Sequence, residues 1–266
     1  ERMNNIIQGV DTYWLALGLR TAFSQRHSIY VDGGENNVRW GVELNFNGNN
    51  GVMQKSNRNV TGAGFYVDYR IGKFQVKNKA TFTFGSSNDV PFNSFSDYSH
   101  LNPYLRIYDE DGNYLRKLES FSGYSGSLVN PLYEIHNYNS YDKSNYYEIV
   151  DNLLVNWNIT KDLRLRLQMS ATIKRENSEL YKDPASASYG TANLALNGDK
   201  SVSSGDSNII DGTLQLMYNK SIKKHYMNLN LSSNLRSSKY TTEYADYRGF
   251  PGGDLTSSNY AAEIIN

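Results

Sequence analysis

Leu163-Arg164-Leu165-Arg166-Leu167-Gln168-Met169-Ser170-Ala171-Thr172-Ile173-Lys174 alternates apolar and polar residues for twelve positions without a slip. Residues 147–159 do nearly the same, and only Thr160-Lys161-Asp162 separates the two runs. A period of two over this length predicts paired strands, each with one apolar and one polar face. Strands of soluble proteins run about 5–6 residues, whereas a strand crossing a bilayer at a tilt needs roughly 9–11. Length and alternation together point to a membrane barrel, with Leu and Ile toward lipid and Arg, Gln and Thr toward a lumen.

The 266 residues suffice for one large β domain or two ordinary ones. Formal net charge is zero, so there is no global electrostatic case for nucleic acid as a partner. Mean hydropathy is negative and no run of about 18 apolar residues occurs. That excludes a helical membrane protein but not a barrel, whose alternating strands average out. The bias toward Tyr (22 residues), Asn, Ser and Gly suits strands with aromatic belts and polar loops. Cys is absent, which removes disulfides and thiolate metal sites. Residues 1–5 show no basic-then-apolar signal segment, and residues 261–266 stop without a closing element. The chain reads as an internal fragment, or a mature piece, of something larger.

Eight candidate strands pair as four hairpins: 23–31 with 38–47, 62–71 with 74–84, 147–159 with 163–174, and 210–222 with 226–236. Their tight connections are rich in Gly, Asn, Asp and Lys, as hairpin turns should be. The connections between hairpins are long: 48–61, 86–146, 177–208 and 237–266. Strict alternation of tight and long connections puts every short turn at one end of a meander, the asymmetry of outer-membrane barrels. The expected fold is therefore all-β, an antiparallel up-and-down meander of about eight long strands forming an arc of a larger transmembrane β-barrel. Residues 22–266 form this partial barrel. Residues 1–21 form an irregular or short helical lead-in, where Asp11 or Thr12 is placed to cap a helix.

Several segments resemble a known family. Asp11-Thr12-Tyr13-Trp14-Leu15 and Leu19-Arg20-Thr21-Ala22-Phe23-Ser24-Gln25-Arg26-His27-Ser28 resemble the stretch following the plug domain in SusC/RagA-type TonB-dependent transporters. So do Tyr30-Val31-Asp32-Gly33-Gly34, Gly51-Val52-Met53 and Ser56-Asn57-Arg58. Asp68-Tyr69-Arg70-Ile71-Gly72-Lys73 and Ser94-Phe95-Ser96-Asp97-Tyr98 continue the match. Tyr108-Asp109-Glu110-Asp111-Gly112-Asn113, Asn130-Pro131-Leu132-Tyr133 and Asp183-Pro184-Ala185-Ser186 complete it. No single segment is diagnostic; their order and spacing carry the resemblance. It implies a 22-stranded, plugged, single-chain barrel with a SusD-like surface lipoprotein as a lid. It also implies import of oligosaccharides or peptides, driven by TonB from the periplasm. No plug, TonB box, signal peptide or closing strand is recognisable. The implied role is thus about eight strands of barrel wall in outer-membrane lipid, which cannot transport alone and meet TonB only through the absent plug.

The four histidines, His27, His100, His136 and His225, show no metal-ligand spacing. No Gly-x-Ser-x-Gly occurs in a strand-turn-helix context, and no carboxylate pair stands on a rigid element. The reading is of a protein that is not an enzyme and has no cofactor. Asp109-Glu110-Asp111-Gly112-Asn113 resembles the start of a calcium loop, but the position twelve from Asp109 is Ser120 instead of Glu. A Gly-closed turn is the simpler reading.

The polar faces present Glu43, Asp68, Arg70, Lys77, Lys79, Arg164 and Arg166 to the lumen, where they line a translocation path or, near the short turns, bond to the plug. The apolar faces present Trp40, Tyr69, Phe74, Trp157, Leu165, Leu167 and Tyr218 to lipid, with the aromatics near the tight turns as a girdle. Tyr98, Tyr104, Tyr108, Tyr124 and Tyr133 lie in long loops. There they either contact substrate or partner, or pack the loops together. The rival to the importer wall is a soluble or surface-exposed β-rich carbohydrate-binding or structural domain. The two differ in whether Leu163, Leu165, Leu167, Met169 and Ile173 lie bare or beneath a second sheet.

Overall fold

The computed structural model describes residues 2–90, 94–120, 127–187, 189 and 193–265. The chain begins with two short helices, α1 (Arg2–Ile7) and α2 (Trp14–Leu17). Four strands follow: β1 (Ser24–Glu35), β2 (Val38–Asn50), β3 (Asn57–Ile71) and β4 (Phe74–Asp89). A loop region then holds α3 (Phe95–Ser99), β5 (Lys117–Ser120), β6 (Ser127–Val129) and α4 (Pro131–Asn137). The longest strands come last: β7 (Tyr141–Asn158), β8 (Leu163–Lys182), β9 (Asp199–Ile222) and β10 (His225–Arg248), with the two-residue β11 (Glu263–Ile264) beside β10.

One nine-stranded sheet takes them in the order β1-β2-β3-β4-β7-β8-β9-β10-β11. Every neighbouring pair is antiparallel. Consecutive long strands are always neighbours, so the sheet is the expected meander. The two ends of the order are not paired with each other, which leaves an open arc.

Three tight turns contain a residue with positive φ: Asn36 at 47°, Gly72 at 55° and Lys223 at 55°. Two-residue hairpin loops demand that backbone. In the fourth turn the Thr160 hydroxyl oxygen accepts the amides of Asp162 and Leu163, at 3.2 and 3.0 Å.

The strands run further than alternation suggested, mostly at the long-connection end, although β1 also runs past residue 31 to Glu35 at its tight turn. β8 continues past Lys174 to Lys182, and β9 begins at Asp199 instead of residue 210. β10 likewise extends past residue 236 to Arg248, inside the stretch expected to be a loop. The long connections therefore shrink to 51–56, 90–140 and 183–198, with 249–266 after the last long strand. The added segments include stretches such as Ser203-Ser204-Gly205-Asp206-Ser207-Asn208, with no apolar side chain on either face. Period two disappears where neither face is apolar, although backbone pairing continues.

The loops have a small core of their own: Trp14, Tyr98, Leu105, Leu118, Leu132 and Ile135 are buried together. Asn130 caps α4, its side-chain oxygen accepting the Leu132 amide at 3.1 Å with Pro131 next in line. The lead-in helix differs from expectation. It begins after Tyr13 and neither Asp11 nor Thr12 caps it. Thr12 instead donates its hydroxyl to the Leu105 carbonyl at 2.8 Å, tying the lead-in to the loop core. A tertiary bond has taken the hydroxyl that local chemistry would use as a cap.

Candidate functional site

The register brings each predicted set of residues onto one face. Trp40 pairs with Val67, Tyr69 with Val76, Phe74 with Trp157, Trp157 with Leu165, Val155 with Leu167, and Leu163 with Tyr218. Side chains alternate along a strand, so Trp40, Tyr69, Phe74, Trp157, Leu165, Leu167 and Tyr218 share one face. The Phe74 and Trp157 rings stack 5.3 Å apart, 11° from parallel. Among the described residues no second sheet packs over this face, since the only other sheet is β5-β6. Ile29, Leu44, Phe65, Phe82, Phe84, Met169, Ile173, Leu214 and Leu229 are all exposed on it. A hollow of about 540 Å³ opens there between Phe46, Phe82, Phe84 and Ile149. No helix of the described residues is long and apolar enough to cross a membrane, which says nothing of a barrel.

Glu43, Asp68, Arg70, Lys77, Lys79, Arg164 and Arg166 stand on the opposite face, and the structure joins five of them. Asp68 lies 3.2 Å from the Lys77 ammonium and 3.3 Å from the Arg70 guanidinium, and accepts the Gln75 amide at 2.9 Å. Asn156 extends this network by donating to the Gln75 side-chain oxygen at 3.3 Å. Lys79 approaches Glu43 at 4.0 Å, and both are exposed, so this pair adds little stability. Arg164 stands apart from that network, its Nε donating to Asn158 at 2.8 Å. Arg166 turns its Nε inward, where the atom is enclosed with no acceptor among the described residues. Arg39 adds another cation beside Asp68 in register.

Sequence reasoning missed two features of the polar face. Tyr30 and Tyr66 lie nearly parallel, 6.4 Å between rings, with hydroxyls 3.1 Å apart. Tyr66 and Tyr146 also lie flat over Gly41 and Gly85: a Cβ at either glycine would meet the ring at 2.3 and 2.1 Å. A glycine beside a tyrosine across the strand pair was the available signal.

The loop tyrosines divide. Tyr98 is 1% exposed and belongs to the loop core, so its assignment as a substrate or partner contact is corrected. A side chain that fills the core cannot touch a ligand. Burial pushes its phenol well above the ordinary value. Tyr104 packs against the same core. Tyr133 is half-buried, its ring edge-on to Tyr138 at 5.3 Å. Tyr108 is 45% exposed and ends a stack through Tyr114 to His136, with ring centroids 4.9 Å apart at both steps. Tyr124 lies outside the described residues. At the acidic turn, Asp109 accepts the amides of Asn113 and Asp111 at 2.8 and 3.0 Å, and Gly112 has φ 84°. The Asn113 amide chiefly holds that carboxyl below its ordinary range. The turn reading accounts for this geometry. No group of three His, Cys, Asp or Glu among the described residues is placed to hold a metal.

No family model and no curated protein matches the sequence. Solved structures match the fold. The RagAB peptide importer in its closed-closed state aligns with TM-score 0.77 at 15% identity over 96% of this chain. Its open-open state aligns with TM-score 0.74 at 15% identity over 95%. A further structure, of the RagAB peptide transporter, aligns with TM-score 0.75 at 14% identity over 96%. The chain spans only 28–29% of the length of the chains it matches. With its open antiparallel meander and its uncovered apolar face, the chain shares the fold of part of the RagAB importer structures, an arc of a β-barrel.

Proposed function

We propose that the chain is part of the barrel wall of a TonB-dependent outer-membrane importer for oligosaccharides or peptides that works with a SusD-like surface lipoprotein. The observation that carries this reading is the bare apolar face. A soluble sandwich would cover Leu163, Leu165, Leu167, Met169 and Ile173 with a second layer, and none lies over them among the described residues. Exposing that much contiguous apolar surface to water is what soluble monomers avoid; facing it to lipid is what barrels do. This also argues against the rival carbohydrate-binding or structural domain.

In this reading Trp40, Tyr69, Phe74, Trp157, Leu165, Leu167 and Tyr218 meet lipid, with the aromatic girdle at the periplasmic end. Glu43, Asp68, Arg70, Lys77, Lys79, Arg164 and Arg166 face the lumen. The surplus of cations near the short turns, Arg39, Arg70, Lys77 and Arg164 among them, suits an acidic surface inside the barrel, such as a plug. The long connections lie outside the cell, where exposed Tyr108 and half-buried Tyr133 are offered to substrate or to the lid lipoprotein. Likeness to a peptide importer favours peptide among the two substrate classes.

The test is deletion of the gene for the full-length protein, followed by uptake of labelled peptides and oligosaccharides. The expected result is a heat-modifiable outer-membrane protein whose loss abolishes uptake of one class in a TonB-dependent way. A water-soluble protein, or unchanged uptake of both classes, would overturn the proposal.

A further inference from the structure

On the polar face a notch of about 220 Å³ opens between β8 and β10. Its lining on that face is Lys174 and Glu176 of β8, Gly205 and Ser207 of β9, and Tyr240 and Thr242 of β10. The register sets these residues in two rows: Glu148, Lys174, Ser207 and Tyr240, and above them Tyr146, Glu176, Gly205 and Thr242. On this face β9 carries nothing longer than serine at Ser201, Ser203, Gly205 and Ser207, so it forms a floor between two taller strands. The trough follows the strand direction. It begins at the outer edge of the apolar band, level with Tyr147 and Ile173 of the opposite face.

The two walls differ. On the β8 side the Lys174 ammonium donates to Glu176 at 2.5 Å and lies 5.4 Å from the Tyr146 ring centroid, with Glu148 beside it in register. On the β10 side Tyr240 is 63% exposed. One ammonium thus stands between two carboxyls. Further out, Asp89 faces Asp142, and Asp246 accepts the Ser201 hydroxyl at 2.6 Å. Burial and, after it, the facing Asp89 raise the Asp142 carboxyl above its ordinary range. From the row of Glu148 to the row of Asp142, β4 and β7–β10 turn Asp89, Asp142, Glu148, Glu176 and Asp246 into the lumen against Lys174 alone. Arg26 and Arg58 lie further round the arc, on β1 and β3. The wall around the trough is therefore electronegative, the reverse of the cationic end near the short turns.

We infer that this trough holds an extended, basic stretch of the imported peptide, an inference that rests on the importer reading above. An extended chain fits a trough that follows a strand, and Ser203, Ser207 and Thr242 offer hydroxyls to its backbone amides. A lysine or arginine side chain of the peptide enters the notch. There Glu148 and Glu176 accept hydrogen bonds from its cationic head, and Tyr240 offers the face of its ring. An acidic side chain in the same place would meet the two carboxyls and be rejected. The carboxyls further out concentrate cations at the entrance. A neutral sugar gains nothing from this surplus of negative charge, so the charge selects a basic peptide as the occupant.

The test uses the full-length protein purified in detergent and three fluorescent peptides of equal length, rich in Lys and Arg, in Glu, or in Gln. At low salt the basic peptide should bind about tenfold tighter than the Glu peptide, and the gap should close as salt is raised. Glu148→Gln, Glu176→Gln and Tyr240→Ala should each weaken binding of the basic peptide about three- to tenfold. Ser207→Leu, which fills the notch without altering charge, should weaken it as well, while each variant barrel stays heat-modifiable. Equal binding of the three peptides, a preference for the Glu peptide, or a basic preference untouched by all of these variants would overturn the inference. Uptake of oligosaccharides with no binding of any of the peptides would sink the inference and leave the importer reading standing. Absence of the protein from the outer membrane would overturn both.

Discussion

Tyr98 carries its hydroxyl into the loop core, where the group is buried with no hydrogen-bond partner among the described residues. An orphaned buried hydroxyl costs about 1–3 kcal/mol. Tyr98→Phe should therefore stabilise the loop core by about 1 kcal/mol, read as slower hydrogen exchange across residues 95–105. Burial, reinforced by Asp97, raises the phenol above its ordinary 10.0. The unfolded loop releases that proton near pH 10 while the folded loop retains it, so folding stability falls as pH rises beyond about 10. The wild-type loop should exchange faster above that pH, and in Tyr98→Phe the acceleration should shrink. An identical alkaline response in both proteins would refute the assignment. Leu167 and Arg166 provide the corresponding test on the sheet. Leu167→Arg in the full barrel should cost roughly 2–4 kcal/mol of folding into lipid vesicles, and Arg166→Leu much less. Equal penalties would contradict the face assignment.

At the scale of elements, α2 closes on Gly18, where an added Cβ would lie 2.6 Å from the Tyr98 ring. Because Tyr98 fills the core, its ring has nowhere to retreat. Gly18→Ala should destabilise the loop cluster by about 1–3 kcal/mol, seen as faster limited proteolysis of the loops. Gly64→Ala in β3, where the nearest atom is 3.6 Å away, should leave that rate unchanged. The hairpins were legible because alternation and turn chemistry agree: residues 163–174 and 74–84 read the same way in the sequence and in the structure. The upper halves of β8, β9 and β10 were not legible, because Ser, Thr, Asn and Lys on both faces carry no period. The loop core escaped for another reason. Trp14, Tyr98 and Ile135 come from three distant segments, and no local pattern reports such a meeting.

At the scale of the whole molecule, the sheet of the described residues has two unpaired edges and one uncovered apolar face. Unpaired edges and large apolar patches drive association in water. The isolated 266-residue chain should aggregate without detergent, as followed by size-exclusion chromatography. A monodisperse detergent-free monomer would count against the barrel reading. The missing edge partners are what the rest of a barrel would supply, in keeping with a chain that spans 28–29% of the chains it matches.

The sequence by itself determined which residues form the apolar and polar faces and where the short turns fall. Period two and turn chemistry are local properties, written within a dozen consecutive residues. The tertiary structure alone decided that, among the described residues, no second sheet covers the apolar face, that Tyr98 is buried in the loop core, and that the Arg166 Nε is enclosed without an acceptor. It alone set Lys174 and Tyr240 on the two sides of one notch. These depend on which strand lies beside which and on what covers them, and alternation along one strand is the same whether water, lipid or protein lies opposite.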